Sequence, residues 1–123
     1  MQFPEYRPRR LRKNENFRRL VRETQVSVND LIYPLFVVPG KNVKKPIQAM
    51  PGNFQMSVDN IVREAELACK LKIPALLLFG IPSHKDELAT GAFAKDGIVQ
   101  QAVKKIKKEV PDILIVTDVC LCE

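Results

Sequence analysis

The residues with the clearest chemical potential stand at the end of the sequence, where Asp118, Cys120 and Cys122 alternate with apolar residues. In an extended strand, alternate side chains point to one face, so a strand continuing through this segment would present a carboxylate and two thiols together. Two thiolates spaced in this way can chelate zinc, but a catalytic zinc needs three protein ligands and one open position. One ligand is therefore missing. The alternative is two small core cysteines beside a turn-forming aspartate.

The remaining reactive side chains have simpler interpretations. Cys69 lies on the apolar stripe of a predicted helix, which favours a core position. His84 is the only histidine and stands in a polar segment, as expected for an exposed loop. Lys85 and Asp86 follow it and either form a surface ion pair or belong to a lid over the strand ends. Gly80 follows a predicted strand without a phosphate-binding glycine motif, so nucleotide binding is not supported.

The elements that must position these residues alternate between strands and helices. Short apolar runs at 31–38, 74–79 and 113–116 predict buried strands, the first of them interrupted by Pro34. Between them, helices are predicted from Ser57 to about Leu71 and from a cap at Asp96 to a stop at Pro111. The segment 41–54 is expected to be a loop. This order predicts an α/β fold with a parallel sheet.

Two architectures suit this order: an open doubly wound sheet, or the first half of a (β/α)8 barrel, which needs about 250 residues. We interpret residues 30–123 as the first βαβαβ portion of an incomplete TIM barrel. Because no helix follows the last strand to cover it, we expect the chain to be a fragment that self-associates.

Charge separates residues 1–29 from this body. The first 22 residues hold eight basic and two acidic residues, which leaves twelve of each sign in the rest of the chain. We interpret 1–29 as an extended basic arm with a short helix at 14–24, for which nucleic acid, a membrane surface or an acidic subunit surface are possible partners. The sequence has neither a secretory signal nor an apolar run of membrane-spanning length, which favours a cytoplasmic protein.

Several segments together resemble the zinc-type porphobilinogen synthases, also called delta-aminolevulinic acid dehydratases. Residues 117–123 (TDVCLCE) are similar to the metal-site signature of that family. The segments 7–12, 29–37, 50–52, 78–82, 85–86 and 96–97 agree with the family in order and spacing. The resemblance covers essentially the whole chain, which makes it specific although each motif alone is not.

This resemblance implies an arm-bearing TIM barrel that condenses two molecules of 5-aminolevulinate to porphobilinogen, with loss of two waters, for heme and other tetrapyrroles. Cys120 and Cys122 match two of three zinc-binding cysteines, Asp118 an active-site aspartate, and Phe79 a residue lining the site. The third cysteine and both Schiff-base lysines would lie beyond Glu123. We therefore expect this chain alone to be inactive and to retain zinc weakly. Mg²⁺ is a further metal that the resemblance allows for the parent protein.

For the arm, the resemblance implies contacts with a neighbouring subunit in a homo-octamer built from dimers, with no nucleic acid or membrane partner. The arginines concerned are Arg7, Arg9, Arg10 and Arg12. The rival hypothesis is a basic-armed α/β binding module whose Cys-x-Cys pair forms half of a metal clip. An intact small α/β domain of another function is the third possibility.

Overall fold

The computed structural model describes residues 4, 5 and 9–120, in which five strands and three further helices follow a short N-terminal helix. Two single-turn 3-10 helices, Arg10–Arg12 and Val28–Asp30, flank that first helix. The elements are α1 (Glu15–Leu20), β1 (Ile32–Val37), β2 (Lys44–Pro46), β3 (Phe54–Met56), α2 (Val58–Lys70), β4 (Ala75–Gly80), α3 (Thr90–Phe93), α4 (Ile98–Glu109) and β5 (Leu114–Thr117).

The five strands form one sheet in the order β2-β3-β1-β4-β5. Strand β1 is parallel to both β3 and β4, and β5 is parallel to β4, whereas β2 is antiparallel to β3. Helices α2 and α4 are the crossover connections of the parallel strands and pack on one face of the sheet. This topology confirms the predicted α/β class with a parallel β1-β4-β5 core.

The loop predicted at 41–54 is in fact mostly a β-hairpin. Lys44 pairs with Met56 and Pro46 with Phe54, and the turn is closed by a hydrogen bond from Ile47 N to Asn53 O of 3.0 Å. Ser57 is fully buried behind this hairpin, where its hydroxyl accepts a 2.8 Å bond from Val43 N. Ser57 therefore stands at the N-cap position of α2 but ties the hairpin to the helix rather than capping a helical amide.

Strand β1 accommodates Pro34 because the neighbouring strand on one side, β3, is short. Val37 O accepts from Ile81 N, on the β4 side, and Val38 N donates to Met56 O, on the β3 side. Backbone groups alternate along a strand, so Pro34 faces the β3 side, where pairing begins only at Phe36. The missing N–H therefore removes no ladder bond.

The two faces of the sheet are very different. The helix-covered face carries the core, which includes the fully buried Val37, Leu76, Leu78, Ile61 and Ile106. The opposite face, which we call the open face, consists of the alternate positions of the same strands: Ile32, Pro34, Phe36, Leu77, Phe79, Leu114 and Val116.

The open face remains exposed to solvent at its margins. Ile32 is 55% exposed, Leu114 62% and Val116 42%. Strand β5, which the sequence predicted to be buried, is instead largely exposed: only Ile115 is partly buried, and the other three residues are exposed.

Several local predictions need correction. Cys69 is exposed rather than buried, because it stands at the edge of the α2 stripe. Helix α1 ends at Leu20 rather than near Thr24, and Asn14 caps it by accepting a 3.1 Å bond from Phe17 N. The N-cap of α4 is Gly97 and not Asp96.

Candidate functional site

The candidate site begins where β5 ends. Asp118 N donates to Leu78 O at 3.2 Å, which repeats the pattern of Leu114 N with Pro74 O and brings Asp118 level with Phe79 on the neighbouring strand. Asp118 is exposed and lies at the carboxyl end of the parallel strands, where α/β folds place their sites.

The two cysteines predicted as metal ligands follow this aspartate. Strand β5 ends at Thr117, and the backbone bond of Asp118 continues the pairing with β4 by one residue. The alternation of side chains predicted from the sequence therefore reaches Asp118 but not Cys120. Cys120 is half-buried and disulfide-bonded, so its sulfur must be reduced before it can act as a thiolate ligand. Cys122 lies outside the described residues.

The donor set in the described part of the chain is incomplete for a metal. No group of three or more histidine, cysteine or acidic side chains able to hold an ion occurs within residues 4, 5 and 9–120. The chemistry of Asp118 and Cys120 suits zinc, for which sulfur and carboxylate oxygen are ordinary ligands. With Cys122 the sequence supplies two thiols, and a closed or catalytic site needs further donors.

An aromatic pair lies beside Asp118 on the open face. The rings of Phe36 and Phe79 stack with their centroids 5.2 Å apart and their planes inclined by 21°. Their strands pair in register at these two residues. Phe79 was predicted as a lining residue from the resemblance, whereas Phe36 was not. The signal that was available is that each phenylalanine lies within the last three residues of its apolar run.

A cavity of about 590 Å³ lies on the other side of the same strand ends. Its walls come from the 82–93 segment, the first half of α4 and residues 117–120. His84, Lys85 and Asp86 all line it, so the loop predicted as a possible lid does lie over the strand ends. The predicted Lys85–Asp86 ion pair is not among the ion pairs of residues 9–120.

Asp86 instead organises the loop. Its carboxylate accepts bonds from Leu88 N (3.1 Å) and Thr90 N (2.9 Å), and from the Thr90 hydroxyl. The Thr90 hydroxyl is the largest cause that lowers the pKa of Asp86 below its ordinary value, and the nearby His84 contributes in the same direction. The charged carboxylate of Asp86 therefore stabilises the turn that leads into α3.

The N-terminal segment makes no buried contact with the sheet. Every described residue up to Leu31 is exposed, including Phe17 and Leu20 of α1. Its ion pairs join Glu15 to Arg18 (2.8 Å) and to Arg22 (3.2 Å). Arg9, Arg10 and Arg12 form none of the ion pairs found among the described residues, and Arg7 lies outside that range.

Comparison with known proteins assigns this arrangement to a family. The delta-aminolevulinic acid dehydratase family matches residues 5–123. The chain belongs to this family. A dehydratase of that name from Synechocystis sp. is 55% identical over 121 residues, and one from Methanothermus sociabilis is 47% identical over 123.

A solved structure agrees with the sequence matches. The delta-aminolevulinic acid dehydratase (porphobilinogen synthase) of Toxoplasma gondii ME49, in complex with the reaction product porphobilinogen, superposes on 98% of the chain with a TM-score of 0.87 at 36% identity. The neighbour is a TIM-barrel enzyme, so the predicted fold class is confirmed for the part that the chain covers.

The chain spans about a third of these dehydratases: 37% of the Synechocystis protein, 38% of the Methanothermus protein and 34% of the Toxoplasma chain. Dehydratases of this family are generally metal-dependent. The family match favours an enzyme segment over the basic-armed binding module. Within residues 9–120, no helix is long and apolar enough to cross a membrane.

Proposed function

We propose that this chain forms the N-terminal third of a porphobilinogen synthase, which condenses two 5-aminolevulinate molecules to porphobilinogen with loss of two waters. The observation that carries the proposal is the position of Asp118, level with Phe79 at the carboxyl end of β4 and β5, in a chain that matches the dehydratase family throughout. In this assignment, residues 30–123 supply the first barrel strands and residues 1–29 the arm.

Within the site, Asp118 would hold or move a proton at the substrate, since a carboxylate can serve as a general acid or base when positioned within hydrogen-bond reach. The stacked Phe36 and Phe79 would form an apolar wall beside it, which excludes water and strengthens polar interactions nearby. The lysines that would form Schiff bases are assigned to the segment that follows this chain in the family.

Zinc would be held by Cys120 and Cys122, with a third thiol from outside the chain. When bound, it would act as a Lewis acid toward an oxygen of the substrate. Because two thiolates complete only part of the coordination, this chain alone is expected to bind zinc weakly under reducing conditions. Zinc titration of the reduced chain should give weaker binding for Cys120→Ser and no change for Cys69→Ser, which removes an exposed thiol elsewhere. Equal binding by both variants would contradict the assignment.

A chimera tests the enzymatic proposal. Residues 5–123 of this chain would replace the matching segment of the Synechocystis dehydratase, and porphobilinogen formation from 5-aminolevulinate would be measured. We expect an active chimera, inactivated by Asp118→Asn and unaffected by Asp112→Asn, an exposed residue preceding the same strand. The isolated chain should form no porphobilinogen. A folded chimera without activity, or one that tolerates Asp118→Asn, would refute the assignment.

For the arm we propose contacts with a second subunit of a homo-octamer in the cytoplasm. Support comes from its exposed apolar residues Phe17 and Leu20. Further support comes from Arg9, Arg10 and Arg12, which form none of the ion pairs found among the described residues. Individual exposed ion pairs contribute little, but several of them together with apolar contacts can stabilise an assembly. Deleting residues 1–13 from the active chimera should lower its mass in solution by analytical ultracentrifugation.

A further inference from the structure

The cavity above the strand ends is separate from the open face on which the reaction is proposed. Gly80 and Thr117 line it, and both occupy positions in register with helix-facing residues, since Gly80 pairs with Val37 and Thr117 with Leu78. Phe79 and Phe36 belong to the opposite face and do not line it. A molecule bound there would touch the proposed reaction site only at the shared rim of Asp118 and Cys120.

The size and walls of this cavity suit a small molecule with an apolar body. Its volume of about 590 Å³ lies within the range of 300–1,000 Å³ usual for small-molecule sites. Ile98, Val99 and Val103 of α4 form an apolar wall. Phe93 lines the cavity as well and is 71% exposed, so its ring has apolar surface that a ligand could cover.

The lining carries two positive and two negative side chains, of which the two lysines could meet the anionic end of a ligand. Lys85 and Lys104 both line it, and neither takes part in the ion pairs found within residues 9–120. Asp86 also lines it, but its carboxylate already accepts bonds from Leu88 and Thr90. Asp118 would repel an anion, which directs a negative group toward the lysines and away from the rim.

We propose that this cavity binds a small amphipathic carboxylate, whose apolar body lies against α4 and whose anionic end meets Lys85 and Lys104. The site goes beyond the proposed dehydratase function and does not depend on it. A ligand held there would contact both the 82–93 segment and the 117–120 segment, so its binding would be coupled to the position of Asp118.

Phenylbutyrate is a suitable probe, and its uncharged amide is the matched control. At the ligand efficiency usual for small molecules, a compound of this size is expected to bind with a Kd of about 1 mM. Backbone amide NMR shifts of the chain should move at Gly91, Val99 and Val119 on addition of phenylbutyrate. The amide should bind several-fold more weakly. Equal binding of the amide, or no shift up to about 10 mM phenylbutyrate, would overturn the proposal.

Charge-reversal variants on α4 distinguish binding in the cavity from attraction to the general surface charge. Lys104→Glu should weaken phenylbutyrate binding by about fivefold or more, because it replaces an attractive charge by a repulsive one. Lys108→Glu, on the same helix but outside the cavity lining, should change the Kd by less than about twofold. Phe36→Ala, on the open face, should leave it unchanged. If Lys108→Glu weakens binding as much as Lys104→Glu, the anion recognises net charge and not this site.

Discussion

At the scale of single residues, Gly80 shows how closely the strand ends approach the helix layer. It closes β4, and a Cβ atom built on it would collide with the Cγ2 atom of Val99 in α4. Glycine is required here by the lack of space for a side chain and not by the backbone conformation. Gly80 therefore allows α4 to lie directly against the strand that carries Phe79.

Gly80→Ala is expected to destabilise the chain by about 1–3 kcal/mol, because overpacking forces Val99 or the backbone to move. Gly91→Ala is the matched control. Its added Cβ would lie 3.6 Å from Pro82, an ordinary contact, and it occupies a helical position where alanine is preferred. We expect Gly91→Ala to be neutral or slightly stabilising in urea denaturation. Equal losses in both variants would show that the approach of Val99 is not the cause.

Asp59 makes the contact between Ser57 and the β2–β3 hairpin sensitive to acid. Its carboxylate accepts bonds from the Ser57 hydroxyl (2.6 Å) and from Asn42 N (3.0 Å), and the Ser57 bond is the main cause that lowers the pKa of Asp59 below 3.8. A lowered folded-state pKa stabilises the fold above the unfolded value, and this stabilisation is lost as the pH falls through the folded pKa.

The free energy of unfolding should therefore decline as the pH falls below about 3.8. Asp59→Asn should make that decline shallower, because the substituted residue does not titrate. Asp30 and Asp86, whose pKa values are also lowered, should preserve part of it. Denaturant unfolding at a series of pH values measures the slope. An unchanged slope in Asp59→Asn, compared with Asp112→Asn, would contradict this account.

The sequence names candidate site residues but not their surroundings. Asp118 is a candidate from its position at a strand end and Phe79 from the family resemblance, but the stacking of Phe36 on Phe79 depends on strand register, which no local pattern encodes. Cys69 was misplaced for a related reason, since a residue at the margin of an apolar stripe is buried only if the neighbouring helix reaches it.

At the scale of elements, the position of β5 is set partly by the end of α4. Lys107 Nζ donates to Pro111 O at 3.1 Å and to Ile113 O at 2.6 Å. These bonds satisfy carbonyl groups in the turn between helix and strand, where no helical donor is available. Lys107 thereby fixes the start of the strand that ends beside Asp118.

Lys107→Met should lower stability by about 1 kcal/mol, because the apolar stem is kept while two hydrogen bonds to carbonyl groups are lost. Amide hydrogen exchange should accelerate most in β5. Lys108→Met removes a charge one residue along the same helix and should change stability by less than about 0.5 kcal/mol. An equal effect of both substitutions would attribute the loss to helix charge instead of the turn.

Helices and central strands follow their sequence patterns closely, whereas the hairpin does not. The stripe of α2 predicts its buried face, with Ile61 and Ala65 fully buried. Strands β2 and β3 have only three residues each, too few to show a periodic pattern, and Pro46 and Pro51 favour a loop interpretation. Their pairing depends on the bond between Val43 and Ser57 and on the pairing of β3 with β1, and both contacts join residues far apart in the sequence.

At the scale of the whole molecule, the helices among the described residues cover one side of the sheet. The open face brings together Ile32, Leu114 and Val116, all substantially exposed, and β5 forms a free edge beside it. Exposed apolar surfaces of this kind and unpaired strand edges favour association. We therefore expect the isolated chain to associate with itself as its concentration rises.

Leu114→Lys together with Val116→Lys should shift the chain toward monomer, since each places a charge on the open face. Leu67→Lys with Leu71→Lys provides the control, because these residues are also exposed but lie on the outer side and end of α2. Sedimentation velocity over a range of concentrations distinguishes the pairs. A monomer at every concentration in the unmodified chain would refute the expectation, and equal effects of both pairs would remove the open face as its cause.

Pro34 has a consequence for how this sheet avoids unwanted pairing. Along the first half of β1, the flank toward β3 has no partner strand, so an intruding peptide could in principle add itself there. A proline in the middle of that flank offers no donor and blocks a continuous ladder. Pro34 thus acts as a gatekeeper that discourages amyloid-like recruitment at this unpaired flank, while β1 keeps its full register with β4.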